Sequence, residues 1–99
     1  MTIWFNVKEA REQLLRRGLV YTLRPKRRRE GREVLCYDGL GKKGVVYVEF
    51  VKEIDDDGEL EEYVDFSGFK SVKEWRAKAK NSRYLYKVTL LSRGELLEG

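Results

Sequence analysis

The chain has 99 residues, of which 41% are hydrophobic and 38% charged, with a formal net charge of +4. It is long enough for one hydrophobic core and too short for two, so a single domain over residues 1–93 is expected. It contains no His and one cysteine, Cys36, which excludes a Ser-His-Asp triad, an intrachain disulfide and a thiolate zinc cluster.

Charged residues exceed the roughly 25% of ordinary soluble proteins, a profile that points to a heat-adapted source. No apolar run approaches a membrane span, and the N-terminus lacks the pattern of a signal peptide, so a cytoplasmic location is expected. The positive charge is uneven. The first fifty residues carry 12 Lys and Arg against 6 acids, the remainder 9 against 11. A basic first half favours polyanionic partners, because neutralising phosphates releases condensed counterions.

In chain order, Thr2-Ile3-Trp4-Phe5 leads into Asn6-Val7-Lys8-Glu9, where Asn6 is placed to cap a helix and Glu9 to close a capping box. Val7, Ala10, Leu14 and Leu15 recur at helical spacing, Arg16 and Arg17 suit the negative end of the dipole, and Gly18 suits the left-handed position that ends a helix. A helix over 7–17 follows. Leu19 to Arg24 alternates as a strand and stops at Pro25. Lys26 to Arg32 reads as a loop, and Val34 to Tyr37 as a second strand with Cys36 as an inert buried thiol. Asp38 to Gly44 is a glycine-rich turn.

Val45 to Ile54 is the longest strand, and its apolar residues on both faces place it centrally. Asp55 to Glu59 reads as a solvated acidic turn, and Leu60 to Phe66 as a weak strand. Ser71-Val72-Lys73-Glu74 is a second capping box, opening a helix that ends near Lys80 with Val72, Trp75 and Ala79 on its apolar stripe. Arg83 to Leu91 is the last strand, and residues 94–99 are expected to fray. Trp4 and Trp75 are both assigned to the core. The order predicts an α+β fold: a curved, mainly antiparallel β-barrel of about five to six strands with two flanking helices.

A first helix ending in Gly18, the strand Val20-Tyr21-Thr22-Leu23-Arg24-Pro25, the valine-rich central strand, and Gly68-Phe69-Lys70-Ser71-Val72-Lys73-Glu74-Trp75 leading to Tyr84-Leu85-Tyr86-Lys87-Val88 together resemble the ASCH branch of the PUA-like superfamily. The likeness covers most of the chain. It implies a β-barrel flanked by helices and an association with RNA, some members acting on RNA or modified nucleosides. The family signature of Gly, Lys and a Thr-containing strand ending in Arg is met by Gly18, Thr22 and Arg24. The Lys position, however, is filled by Val20 or Tyr21. Relatives that hydrolyse acetylated cytidine use a Thr, that Lys and a Glu, so the resemblance carries over a cleft more readily than an activity.

The densest candidate site is Lys26, Arg27, Arg28, Arg29 and Arg32, directly after Arg24, interrupted only by Glu30 and Glu33. Guanidinium groups at this density contact successive phosphates; otherwise they are a solvated charge run. Arg17, Lys42 and Lys43 would extend the patch if the fold brings them near, although the glycines around the two lysines equally describe a plain hairpin turn. Tyr21 and Tyr37 either stack on an unpaired base or pack in the core. Lys73, Arg76 and Lys80 form a wet helix face or a second ridge of phosphate contacts.

The expectation is an RNA-binding module, RNA favoured over DNA, in which Thr22 and Arg24 line a cleft beside the basic loop. It would act as a monomer without cofactor or metal. The alternatives are a small hydrolase or ribonuclease acting on RNA or a nucleoside, with Thr22, Arg24 and Glu74 as its polar groups, and a module that pairs with another protein.

Overall fold

The computed structural model describes residues 2–37 and 42–93. Along them run β1 (Thr2–Trp4), α1 (Lys8–Arg17), β2 (Leu19–Arg24), β3 (Gly31–Cys36), β4 (Lys42–Glu53), 3-10 helices at Asp57–Glu62 and Val64–Phe66, α2 (Val72–Lys78) and β5 (Tyr84–Arg93). The tail at 94–99 and most of the glycine-rich turn lie outside the described residues. No described helix is long and apolar enough to cross a membrane.

The five strands form one sheet in the order β1-β3-β4-β5-β2, curled into a half-barrel. β1 runs parallel to β3 and the other three pairings are antiparallel. β4 is central, as its apolar character required. The barrel does not close by strand pairing: β1 and β2 are its two edges.

The architecture differs from the sequence expectation in several places, among them β3, which begins at Gly31 within the expected loop, and β4, which begins at Lys42 within the expected turn. β1 is a strand in its own right, paired through Thr2↔Val34, Ile3↔Leu35 and Trp4↔Cys36. Its three residues are too few to show an alternating pattern. The segment Leu60–Phe66 is helical, so the described residues hold five strands and no sixth. There Asp56 accepts from the Gly58 N–H at 3.1 Å, and Glu59 accepts from the Asp55 and Asp56 N–H groups at 2.9 Å. Those bonds turn the backbone into a 3-10 coil and bury Leu60 completely.

Period-two alternation sends successive strand residues to opposite sides of the sheet, and each side has its own core. On the inner face Val20, Leu35, Val46, Val48, Tyr86 and Val88 meet Ala10 and Leu14 of α1. On the outer face Leu23 and Leu85 meet Ile54, Leu60 and Trp75 under α2 and the 3-10 segment. Fully burying each large apolar side chain contributes about 1.5–3 kcal/mol, so the two clusters account for most of the drive to fold.

The helix ends follow local chemistry. Gly18 is left-handed at φ 77° and its N–H reaches the Leu14 carbonyl at 2.9 Å, as expected. At the other end α1 departs from expectation: Val7, not Asn6, occupies the cap position, and it makes no side-chain cap hydrogen bond. The Ser71 hydroxyl accepts from the Glu74 N–H at 3.2 Å to open α2. That helix stops at Lys78, short of Lys80, because Arg76 Nη1 binds the carbonyls of Ala79 at 2.8 Å and Ser82 at 2.7 Å and turns the chain away.

Candidate binding cleft at the open seam of the sheet

The Phe5 N–H donates to the Cys36 carbonyl at 3.0 Å, so alternate residues of the first segment face β3 and the carbonyls of Thr2 and Trp4 face the open side. Unpaired carbonyls at a sheet edge need donors. Two arginines supply them across the seam: Arg24 Nη1 donates to the Trp4 carbonyl at 3.1 Å, and Arg28 Nη2 to the Thr2 carbonyl at 3.3 Å. Side chains therefore span the gap that a strand ladder would close in a full barrel.

The basic loop is held in place. Arg28 Nη2 is 2.7 Å from Glu33 Oε1, and Glu33 is only 3% exposed. The Tyr86 hydroxyl accepts from the Arg28 N–H at 2.7 Å and donates to the Arg28 carbonyl at 3.1 Å. The guanidinium of Arg27 lies 4.1 Å from the centre of the Phe50 ring, and the Glu30 carboxylate accepts from the Phe50 N–H at 2.9 Å. Arg28 is thus a structural residue and not the freely offered cation expected from the sequence. Lys26, Arg29 and Arg32 are exposed, and no described acid pairs with them.

Between β1, β2 and α2 lies a cavity of about 120 Å³, whose lining reaches Arg24 at the end of β2 and none of the loop residues beyond it. Its apolar floor includes Phe5, Leu23 and Trp75, and its polar walls include Thr22, Arg24 and Lys78. Thr22 is buried, and the Arg24 guanidinium sits 4.8 Å from the centre of the Phe5 ring. Arg24 Nε is enclosed with no hydrogen-bond partner among the described residues. Burial, and secondarily the neighbouring positive charge of Arg28, push the Arg24 pKa down to about 10.

Trp4 stands at the rim with 44% of its surface exposed, contrary to its assignment to the core, whereas Trp75 is buried as expected. The cause is the strand: Ile3 points into the core, so its neighbours Thr2 and Trp4 point away. Lys78 was not singled out from the sequence. The available signal was its position three residues after Trp75, which puts it next to the apolar stripe of α2.

The remaining candidates disperse. Tyr37 follows β3 at the end opposite the loop, about 20 Å from Gly31 at 3.3 Å per residue. There its ring lies beneath Arg11 at 5.3 Å and Lys43 at 5.6 Å, so Lys43 does not extend the loop's patch. The side chain of Lys42 lies outside the described residues. Arg17 stacks on Phe66 at 4.4 Å, at the far end of β2 from Arg24. Tyr21 packs against Tyr63 on the outer face, with ring centres 4.9 Å apart. Glu74 is exposed and is not among the cavity's walls. Arg76 is bound to Asp57 at 3.0 Å, which leaves Lys73 and Lys80 as the exposed cations of that helix face.

No protein-family model, curated protein or solved structure matches this chain. The functional reading therefore rests on the seam itself.

Proposed function

We propose that the protein binds single-stranded RNA along the seam, with the backbone held by Lys26, Arg27 and Arg29 and an unpaired base stacked on Trp4. The observation that carries this reading is that an exposed tryptophan and a partly apolar cavity lie at the open edge of the sheet, to which the basic loop is tied through Arg28. Stacking on an aromatic face combined with a cationic track is how sequence-tolerant single-strand binding is built. Because the loop is already fixed by Arg28, Tyr86 and Glu30, little ordering entropy opposes binding.

The half-barrel with flanking helices agrees in outline with a PUA-like domain, and that resemblance is the reason for favouring RNA over DNA. Hydrolysis has less support. Among the described residues Thr22 and Arg24 reach the cavity, Glu74 does not, and no other carboxylate lines it to act as a general base.

Trp75 is buried and Trp4 is exposed, so quenching of tryptophan emission on titration with oligouridine RNA reports on the rim. Trp4→Ala is expected to weaken binding by roughly five- to a hundredfold, the range corresponding to about 1–3 kcal/mol for one stacked base. Saturating RNA that leaves the emission unchanged, or a Trp4→Ala variant of undiminished affinity, would overturn the proposal.

A further inference from the structure

Two neighbouring arginines brace the seam, and only one has a counter-ion. Arg28 is matched by the buried carboxylate of Glu33 at 2.7 Å. Arg24 donates to a neutral carbonyl, lies on the face of a neutral ring, and keeps Nε enclosed without a partner among the described residues. No described carboxylate lines the cavity it faces. A guanidinium withdrawn from water with no negative charge beside it destabilises its surroundings, and a second cation nearby adds to the cost. The lowered Arg24 pKa has the same two origins. An anion entering the cavity would relieve both effects.

Lys78 lies on another wall of the cavity, and Thr22 adds a hydroxyl. The cavity opens to solvent and has a volume of about 120 Å³. A cavity of roughly 150 Å³ holds one benzene ring, so a tetrahedral oxyanion fits here. A phosphodiester inside a strand carries one negative charge. A terminal phosphomonoester carries nearly two, which matches the two cations Arg24 and Lys78.

We infer that the seam cavity is a subsite for a terminal phosphomonoester, bound between Arg24 and Lys78, so that the protein recognises phosphorylated strand ends. This deepens the RNA reading and rests on it for the identity of the polymer, while the anion subsite stands on the cavity's own charges. Charge-assisted hydrogen bonds to a phosphate correspond to a gain in affinity of roughly ten- to a hundredfold.

The test uses the whole chain and three probes: inorganic phosphate, and one short oligouridine carrying either a phosphate or a hydroxyl at each end in turn. NMR follows the Arg24 Nε–H resonance, and fluorescence anisotropy gives the affinities. The expected result is a saturable shift of that resonance with phosphate and binding at least tenfold tighter for one phosphorylated end, with the gain lost in Lys78→Ala. Lys78 is exposed on α2, so this variant folds even where Arg24→Ala fails to. Equal affinity for phosphate- and hydroxyl-ended strands, with the Arg24 resonance unmoved, overturns the subsite and leaves the RNA reading intact. A saturable phosphate shift without binding of either strand upholds the subsite and overturns the RNA reading.

Discussion

Arg24, Arg28 and Arg29 are chemically alike and sit within six positions, yet the fold gives each a different task. Arg24 crosses to Trp4 and Arg28 to Thr2, over separations of 20 and 26 residues, and Arg29 remains in solvent. Removing Arg28 strands the buried Glu33 carboxylate, so Arg28→Ala is expected to lower the unfolding free energy by about 3 kcal/mol. Arg29→Ala should change it by less than about 0.5 kcal/mol. Urea denaturation of the two variants separates them, and equal effects would contradict the division of labour. The sequence made this cluster conspicuous as a run of positive charge. It could not show which member faces inward, because that depends on where β1 comes to lie and on the burial of Glu33, an acid that reads locally as one more surface charge.

At the scale of elements, α1, α2 and the strands at 19–24, 45–54 and 83–91 were legible because each carries a periodic apolar pattern with a stop signal. The segment at 57–66 was not. Leu60, Tyr63 and Val64 are spaced for a helix, but so short a run reads equally as a poor strand, and the side-chain bonds to the backbone decide between them. Glu59 is central to those bonds. Its carboxyl is held down to about 2 by the hydrogen bond from Lys52 first, and then by the amides of Asp56 and Asp55. A depressed acid contributes stability above its ordinary value of about 4.5, and that contribution is lost as the pH falls through the folded value near 2. The amide resonances of Asp55 and Asp56 should therefore titrate with a midpoint near 2. A midpoint near 4.5 would show that the cap is not formed. A second element-level prediction concerns Gly68, where φ is 91° and a β-carbon would meet the Glu9 carbonyl oxygen at 2.2 Å. The chain leading into α2 must pass directly over α1 at this point. Gly68→Ala should cost about 2 kcal/mol or more in thermal unfolding, since it combines a left-handed backbone with a backbone clash. An unchanged Tm would mean that the two elements are not packed this closely.

For the molecule as a whole, the sheet is a half-barrel whose two edges are joined by guanidinium groups, and the open seam gathers Trp4, the cavity and the basic loop. The charge imbalance between the two halves of the chain pointed to the loop, and Thr22 and Arg24 line the cavity. Trp4 was assigned to the core and Lys78 was not singled out, because the place of each on the seam depends on tertiary neighbours: β3 sets which way Trp4 points, and the packing of α2 puts Lys78 on the cavity that β2 also lines. Conversely, Tyr37 and Lys43 are near the loop in sequence but far from it in space, because β3 runs its full length between them. The central claim is that RNA is held on the seam by the loop's exposed cations. Fluorescence anisotropy of single-stranded RNA at several salt concentrations tests it most directly, comparing the wild type with a variant in which Lys26, Arg27 and Arg29 are changed to Ala and the bracing Arg28 is kept. Each phosphate contact on a single strand contributes about 0.7 to the slope of log affinity against log salt, so the variant should bind more weakly with a slope shallower by about 2. An unchanged slope and affinity would contradict the account.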